Sequence, residues 1–251
     1  QASPSLQPPL ACFMNVIGPI LGIIPARAGS KRLPGKNLLP LAGKHLVEHT
    51  MAAALGSTTV DHWVVSSDDP GVLALADTHE SLEALPRPES LSTDTSLAID
   101  YVRHALAHCE NTGRPRFGTV VIIQVTSPFT TSEDIDATVT LLEQSDGADS
   151  AVSVAEIAFD RHPTKLKRMD GDRLRPYFQQ DEAGQMAAHQ LPTIFARNGS
   201  VYASRRAVFD NGLIIGEDCR GYIMPRERSV DVNDRLDYEF ACFLYERHRH
   251  G

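Results

Sequence analysis

Basic residues and glycines crowd one short stretch of the chain, directly after an apolar run at residues 20–24. The stretch contains Arg27, Gly29, Lys31, Arg32, Gly35 and Lys36. Glycines let a backbone approach a ligand closely and adopt positive φ angles. Loop amides together with fixed cations are the groups that a polyphosphate requires. The stretch therefore predicts a triphosphate-binding loop, and the alternative is a solvated basic loop that binds no ligand.

Two common phosphate-binding motifs do not fit this loop. The P-loop motif has four residues between its glycines and ends in Lys-Ser or Lys-Thr. Here five residues separate Gly29 from Gly35, and Lys36 is followed by Asn37. The dinucleotide-binding motif G-x-G-x-x-G does not follow the apolar run either. What remains, I-P-A-R-x-G-S-K-R-x-x-x-K-N, resembles the signature of the acylneuraminate cytidylyltransferases, also called CMP-sialic acid synthetases.

Further segments resemble motifs of the same family, in the same order along the chain. They are residues 64–68 (V-V-S-S-D), 87–95 (R-P-E-S-L-S-T-D-T), 124–128 (Q-V-T-S-P), 191–202 (L-P-T-I-F-A-R-N-G-S-V-Y) and 229–233 (S-V-D-V-N). The resemblance covers roughly residues 20–247. It implies that CMP is transferred from CTP to the anomeric hydroxyl of a nine-carbon, sialic-type 2-keto acid, with release of pyrophosphate.

The resemblance also implies a role for individual residues. The implied catalytic residues are Arg27, Lys36 and Asp231. The implied nucleotide-binding residues are Ala26, Arg27, Ser30, Lys31, Asn37, Arg87 and Ser96. The implied acid-binding residues are Gln124, Arg197 and Asn198. The implied cofactor is Mg²⁺, held by Asp231 and Asn233.

Three positions depart from the family pattern. Thr130 and Ala188 stand where relatives often carry arginine, and Asn233 replaces the second carboxylate of a D-x-D pair. An amide oxygen ligates Mg²⁺ but brings no charge. Two alternatives therefore stay open. One is a cytidylyltransferase for another acid of the pseudaminic, legionaminic or Kdo type, and the other is a non-catalytic nucleotide-binding relative.

Aspartate and histidine side chains often bind metals in proteins, and four more such residues stand out in the sequence. Asp68 and Asp69 follow a predicted strand, where they either reach a metal or form a turn and cap the next helix. We favour the turn and cap. His104 and His108 stand four residues apart on a predicted helix, but they lack the glutamate of H-E-x-x-H and a visible third ligand. We therefore expect no metal site at these histidines.

The composition argues against several classes of function. The 251 residues carry a net charge of −8, and nucleic acids attract basic surfaces, so we expect no nucleic-acid partner. No apolar run is long enough to cross a membrane. Cys12, Cys109, Cys219 and Cys242 form no C-x-x-C pair, which favours reduced thiols and a cytoplasmic location. The expected partners are CTP and a small acidic sugar.

Alternating strand and helix patterns predict an α/β fold with a mostly parallel sheet. The predicted strands lie at residues 21–24, 62–69 (ending in an acidic turn), 119–125 and 151–154. The predicted helices lie at residues 47–55, 72–76, 97–109, 133–144 and 238–247, and Asp237 is the expected cap of the last one. The family resemblance makes this a Rossmann-like, three-layer nucleotidyltransferase fold.

The domain organisation is also predicted from the sequence and the resemblance. Residues 1–15 contain proline and serine and no cationic residue, which makes them a poor signal peptide. We expect them to be a disordered arm or a tag remnant, and residues 16–251 to form one cytidylyltransferase domain. Residues 161–190 are polar with little periodicity, which is long for a structureless loop. In the family that the chain resembles, the matching region packs against a second subunit. The resemblance therefore implies a dimerisation extension at about residues 156–193, and a homodimer.

Overall fold

The computed structural model describes residues 18–177 and 191–249, and within them a seven-stranded sheet lies at the centre. The strands are β1 (Ile20–Pro25), β2 (Pro40–Leu41), β3 (Lys44–His45), β4 (His62–Ser67), β5 (Leu82–Pro86), β6 (Thr119–Ile123), β7 (Ser150–Glu156), β8 (Lys167–Asp170), β9 (Arg173–Pro176), β10 (Phe195–Arg205) and β11 (Cys219–Ile223). The helices are α1 (Leu46–Gly56), α2 (Pro70–Ala76), α3 (Ala98–Asn111), α4 (Ser132–Gln144), α5 (Arg206–Asp210) and α6 (Arg235–Arg249).

The strands of the central sheet follow the order β11-β7-β10-β6-β1-β4-β5. Among the described strands of this sheet, β10 alone runs antiparallel to its neighbours, β6 and β7. The other four pairs are parallel. The predicted α/β fold with a mostly parallel sheet is therefore confirmed.

The sequence patterns do not predict β5, β10, β11 or α5, nor the short strands β2, β3, β8 and β9. β5 and β11 lie at the edges of the central sheet, where one side of the strand has no neighbour in the sheet. Their sequences, L-E-A-L-P and C-R-G-Y-I, contain residues that strands disfavour, including proline and glycine. Edge strands tolerate such residues because fewer ladder hydrogen bonds depend on them.

Apolar side chains from the two faces of the sheet form two separate clusters. On one face, Ile24 and Val65 pack with apolar residues of α1, α2, α4 and α6. On the other face, Leu21 and Ile23 pack mainly with apolar residues of α3. Alternation along β1 sends successive side chains to opposite faces, so this buried strand reads as a continuous apolar run. The result is the predicted arrangement of three layers.

The first residues of two helices decide two of the predictions. Asp69 Oδ1 accepts a hydrogen bond from the Gly71 amide at 2.9 Å, so the predicted turn and cap before α2 are confirmed. At α6 the predicted cap, Asp237, is wrong. Asp234 precedes the helix and accepts from the Asp237 amide at 3.1 Å, while Asp237 accepts in return from the Asp234 amide at 3.2 Å. The first turn of α6 is exposed, so its start is not marked by an apolar pattern.

The segment between β7 and β10 departs from the regular layers. It contains two short 3-10 turns, Phe159–Arg161 and Pro163–Lys165, followed by an exposed hairpin of β8 and β9. Part of the predicted extension at about residues 156–193 lies outside the described ranges. The predicted arm at residues 1–15 and Ala188 lie entirely outside them. These boundaries remain predictions. None of the helices in the described ranges has the length and apolar character that a bilayer crossing needs.

Candidate active site

The basic loop is fastened to the end of β4 by three hydrogen bonds. The Ala26 amide donates to the Ser66 carbonyl at 2.9 Å, and Ser67 Oγ donates to the Ala26 carbonyl at 2.6 Å. The Ala28 amide donates to Asp68 Oδ1 at 2.8 Å. Asp68 therefore shapes the loop, and the buried Ala26 contributes through its backbone rather than its side chain.

A turn then brings the loop back toward the sheet. Gly35 has a φ angle of 63°, a left-handed conformation that favours glycine, and it precedes the 3-10 turn Lys36–Leu38. Asn37 is only 6% exposed, and its Nδ2 donates to the Arg27 carbonyl at 2.9 Å. Asn37 thus ties the two ends of the loop together, which fixes where Arg27 and Lys36 lie.

The loop and the end of β6 enclose a cavity of about 420 Å³. Ligands of open parallel sheets bind beyond the carboxyl ends of the strands, and this cavity occupies that position. Seven of the predicted site residues line it, namely Arg27, Ser30, Lys31, Lys36, Asn37, Gln124 and Asn233. Arg32 adds a fourth cation to the lining. The cavity therefore concentrates positive charge within a chain whose net charge is −8.

Lys36 is the most deeply placed of the four cations. Its Nζ donates to the Val232 carbonyl at 3.3 Å. Burial lowers the pKa of Lys36 below its usual value, and the nearby Arg32 and Arg27 lower it further, while Asp231 partly offsets them. An ammonium in these surroundings has lost much of its water, so a bound anion would stabilise its charged form.

Asp94 also lines this cavity, and the family resemblance assigns it no individual role. Arg27 Nη1 donates to Asp94 Oδ1 at 3.0 Å, and Lys31 Nζ contacts Asp94 Oδ2. Hydrogen bonds from Lys31 and Arg27 lower the pKa of Asp94, so it is a carboxylate. The carboxylate thus lies against two cations that the sequence assigns to phosphate. The sequence signal that points to Asp94 is its position in the R-P-x-x-L-x-x-D-T segment.

Arg87 and Ser96 lie beside the cavity and do not line it. Arg87 is 6% exposed, and its guanidinium donates to Ser66 Oγ at 3.0 Å and to the Ser66 carbonyl at 2.8 Å. It also stacks over the Tyr101 ring, 4.7 Å from the centroid. Burial lowers the pKa of Arg87 and raises that of Tyr101 to about 12. Residues 93–96 form a turn, here called the Asp94 turn. Ser96 Oγ in this turn donates to the Ser90 carbonyl at 3.2 Å.

The predicted acid-binding residues are not brought together. Gln124 lines the cavity, whereas Arg197 is exposed on β10. Asn198 is buried, where it accepts from Ser153 Oγ at 2.6 Å and donates to Ser229 Oγ at 2.9 Å. Thr130 is also buried and donates to the Ser127 carbonyl at 2.9 Å.

A second cavity, of about 660 Å³, contains Asp231. Arg161, Arg226 and Ser229 line it as well, together with the acidic residues Glu227 and Asp237. Because Asn233 lines the first cavity and Asp231 the second, the segment between these two residues borders both cavities. No sequence motif marks Arg161 or Arg226.

The pair expected to hold the metal is adjacent in space. Asn233 Nδ2 donates to Asp231 Oδ2 at 2.6 Å, while Asn233 Oδ1 accepts from Arg32 Nη2 at 3.2 Å. The Asn233 amide N–H donates to Asp237 Oδ2 at 2.9 Å, which fixes the backbone at this point. Rotating the side-chain amide of Asn233 would place its Oδ1, in place of its Nδ2, beside Asp231 Oδ2. The donor set therefore fits one hard divalent cation.

Comparisons with known proteins identify the family of the chain. A family model described as "Cytidylyltransferase" matches residues 21–242. The CMP-N,N'-diacetyllegionaminic acid synthase of Legionella pneumophila is 34% identical over 231 residues, which cover 90% of this chain and 96% of that protein. The N-acylneuraminate cytidylyltransferase of Escherichia coli O18:K1:H7 is 30% identical over 91% of this chain, which spans about half (52%) of that protein's length.

A solved structure shares the fold at lower sequence identity. The CMP:2-keto-3-deoxy-manno-octonic acid synthetase complexed with CTP superposes with a TM-score of 0.66 and 19% identity, covering 92% of this chain and 100% of that one. The family model covers most of this chain, and the Legionella relative is matched over nearly its whole length. The chain therefore belongs to the cytidylyltransferase family of nucleotidyltransferases, as its resemblance to the acylneuraminate cytidylyltransferases predicts.

Proposed function

We propose that this protein uses CTP to convert a nonulosonic, sialic-type 2-keto acid into its CMP-sugar, with release of pyrophosphate. The observation that carries the proposal is the cavity of about 420 Å³ in which Arg27, Lys31, Arg32 and Lys36 converge. Its volume falls in the range of ordinary small-molecule sites. The activities named for the Legionella and Escherichia coli relatives support the same reaction.

The loop cations act on the triphosphate of CTP. We assign Arg27, Lys31 and Lys36 to the β- and γ-phosphates, where they stabilise the negative charge of the leaving pyrophosphate. Phosphoryl and nucleotidyl transfers depend mainly on positioning and charge neutralisation, with little covalent work for the protein. Arg27 and Lys31 contact Asp94 in the nucleotide-free protein, so the triphosphate replaces one carboxylate.

The nucleoside is held by the rest of the loop and by the Asp94 turn. Ala26 and Asn37 set the backbone beside the cavity, Ser30 lines it, and Ser96 belongs to the turn that faces it. Arg87 supports this side from beneath, because its guanidinium is engaged with Ser66 and Tyr101.

Asp231 and Asn233 are the proposed Mg²⁺ ligands. When bound there, Mg²⁺ would lower the charge on the α-phosphate and so reduce its repulsion toward the attacking hydroxyl. For Asn233 to offer its oxygen, its amide must turn away from Arg32, whose Nη2 now donates to that oxygen at 3.2 Å. The same rotation releases the Arg32 guanidinium for a phosphate contact.

The acid is assigned to the second cavity, which lies on the Asp231 side of the 231–233 segment. Arg161 and Arg226 offer guanidinium groups that suit a carboxylate. Gln124 borders the cavity of the triphosphate, where it can meet the incoming hydroxyl. The Legionella relative, at 34% identity, makes a legionaminic-type acid the second candidate substrate. Asn198 has an indirect role, because its Nδ2 donates to Ser229 Oγ and holds that residue in place, whereas the exposed Arg197 receives no role.

A homodimer and a cytoplasmic location complete the proposal. The hairpin of β8 and β9 exposes Met169 and Leu174, and α6 exposes Phe240 and Phe243. Apolar side chains in this number favour contact with a second copy, and a two-fold dimer is the commonest closed assembly. Light scattering at micromolar concentration should give twice the chain mass. A monomer mass would reject the dimer without affecting the reaction.

A pyrophosphate-release assay tests the reaction itself. The purified chain is incubated with CTP, Mg²⁺ and a panel of acids, namely N-acetylneuraminic, legionaminic, pseudaminic and Kdo. Release with a nine-carbon acid supports the proposal, and the acid with the highest kcat/KM identifies the substrate. Release with Kdo alone moves the protein to an eight-carbon substrate. If no acid supports release while CTP still binds, the non-catalytic alternative is correct.

A further inference from the structure

A cluster of metal-ligating side chains lies at the end of the sheet opposite the candidate active site. β4 begins at His62, and Glu83 is the second residue of β5, so both side chains stand at the amino ends of parallel strands. The last turns of α3 bring His108 and Cys109 to the same place. The proposed cytidylyl transfer makes no use of these residues.

The side chains converge on the carboxylate of Glu83. His62 Nε2 lies 2.6 Å from Glu83 Oε2, and His108 Nε2 lies 2.6 Å from Glu83 Oε1. Arg114 Nη2 donates to Oε2 at 3.1 Å. One ligand atom each from His62, Glu83 and Cys109 lies within 4.8 Å of the other two.

We propose that His62, Glu83 and Cys109 bind one divalent transition metal of the zinc class, with solvent in the fourth position. Nitrogen, oxygen and thiolate sulfur are the donors that zinc takes, at about 2.0–2.3 Å in tetrahedral geometry. Such bonds place neighbouring ligand atoms about 3.3–3.8 Å apart. The His62 nitrogen and the Glu83 oxygen, now hydrogen-bonded at 2.6 Å, must therefore move apart to make room for the metal, whereas a donor still 4.8 Å away must move closer. Three protein ligands with an open position form a complete set for this metal.

The Cys109 thiol binds the metal as a thiolate. On binding, the sulfur–metal bond forms and the thiol proton leaves to solvent. His108 contacts the other oxygen of Glu83 and orients the carboxylate, which makes it a positioning residue.

His62 and Glu83 can be reached from solvent, whereas Cys109 is fully buried behind them. A cavity of about 800 Å³ is lined by His62, Glu83 and Arg114, and also by Asp61, Asp77 and Glu80. The three additional carboxylates favour entry of a cation over an anion. Arg114 supplies the positive charge at Oε2 that the metal would replace.

Cobalt(II) serves as the probe, because cobalt bound to a thiolate gives a sulfur-to-metal charge-transfer band that histidines alone cannot produce. The full chain is titrated with Co²⁺ and then with Zn²⁺, which should displace it. We expect one equivalent of Co²⁺ to produce the band. His62→Gln and Cys109→Ser should each abolish the band, while His108→Gln should weaken binding by about 10–100-fold. Cys219→Ser and Cys12→Ser are the matched controls and should retain it.

Several outcomes would overturn the proposal. Absence of the band in the parent chain means that the cluster is a hydrogen-bonded network only. A band that persists in Cys109→Ser, or that disappears in Cys12→Ser or Cys219→Ser, places the metal elsewhere. Cys109 is fully buried, so folding of the Cys109→Ser variant is first checked by thermal unfolding. If Cys109→Ser does not fold, His62→Gln gives an independent answer, because His62 is partly exposed. Pyrophosphate release by the parent chain is measured separately, so failure here leaves the proposed function intact.

Discussion

Replacing Lys36 with methionine removes one ammonium from the triphosphate cavity while keeping most of the apolar stem. The lysine Nζ now contacts the Val232 carbonyl at 3.3 Å and would exchange it for a phosphate oxygen. A pair of unit charges about 4 Å apart contributes about 4 kcal/mol at an effective dielectric constant of about 20. Loss of one preorganised donor costs about 10²–10³-fold in turnover. We therefore expect turnover at saturating CTP to fall by about that factor.

The stability of Lys36→Met gives a second, independent readout. Burial lowers the pKa of Lys36 in the folded protein, so its charge opposes folding at neutral pH. Parent stability should rise with pH between that lowered pKa and the usual value of 10.5, because the unfolded chain binds more protons there. The variant lacks this pH dependence. Its Tm at neutral pH should be no lower than the Tm of the parent.

Steady-state kinetics with pyrophosphate detection measure the effect, and circular dichroism melting provides the Tm. Lys44→Met is the matched control, because Lys44 is exposed on β3 and lines none of the cavities described above. Lys36→Arg retains a charge and should keep part of the activity. Turnover of Lys36→Met within threefold of the parent would refute the assigned role. A large fall in Tm would show that the ammonium serves the fold instead.

Three other substitutions test neighbouring parts of the site. Asp94→Asn removes the carboxylate that competes with the triphosphate for cations, so KM for CTP should fall several-fold; a higher KM would instead place Asp94 on the nucleotide. Asn233→Asp should lower the Mg²⁺ concentration needed for half-maximal rate, because it adds a carboxylate ligand. Asp231→Asn should abolish activity. If Asp231→Asn instead keeps the activity and the Mg²⁺ dependence of the parent, the metal binds elsewhere. Arg87→Lys loses the two-pronged contact with Ser66 and should reduce the free energy of unfolding by about 1.5–3 kcal/mol in urea titrations, with KM for CTP changed little.

The elements that the sequence predicts well are those with strong local signals. The run at residues 20–24 forms β1, and the predicted helix at 97–109 is α3 (Ala98–Asn111). Each has a buried face and a sequence period that matches its structure. β5 and β11 lack such a period because they lie at the sheet edges. Their existence depends on pairing with β4 and β7, which local sequence does not encode.

The candidate site follows the same division. Residues within one motif, such as Arg27, Lys31 and Lys36, are found from the sequence because a single loop carries them all. Contacts between residues far apart in the sequence are not found in this way. Asp94 is an example, because 67 residues separate it from its partner Arg27. Arg87 illustrates a different limit. The motif predicts it as a nucleotide-binding residue, but only the fold shows that its guanidinium is buried against Ser66 and Tyr101.

The partners of the loop cations bear on which anions the site accepts. Asp94 contacts Arg27 and Lys31, Asn233 accepts from Arg32, and the Val232 carbonyl accepts from Lys36. These contacts hold four like charges in one cavity before any nucleotide binds. An incoming anion must replace several of them, and a single phosphate reaches too few cations to do so. A triphosphate offers several charged groups in a row and can engage the cations together. We therefore expect CTP to bind more tightly than inorganic phosphate or CMP, which competition in the pyrophosphate-release assay measures.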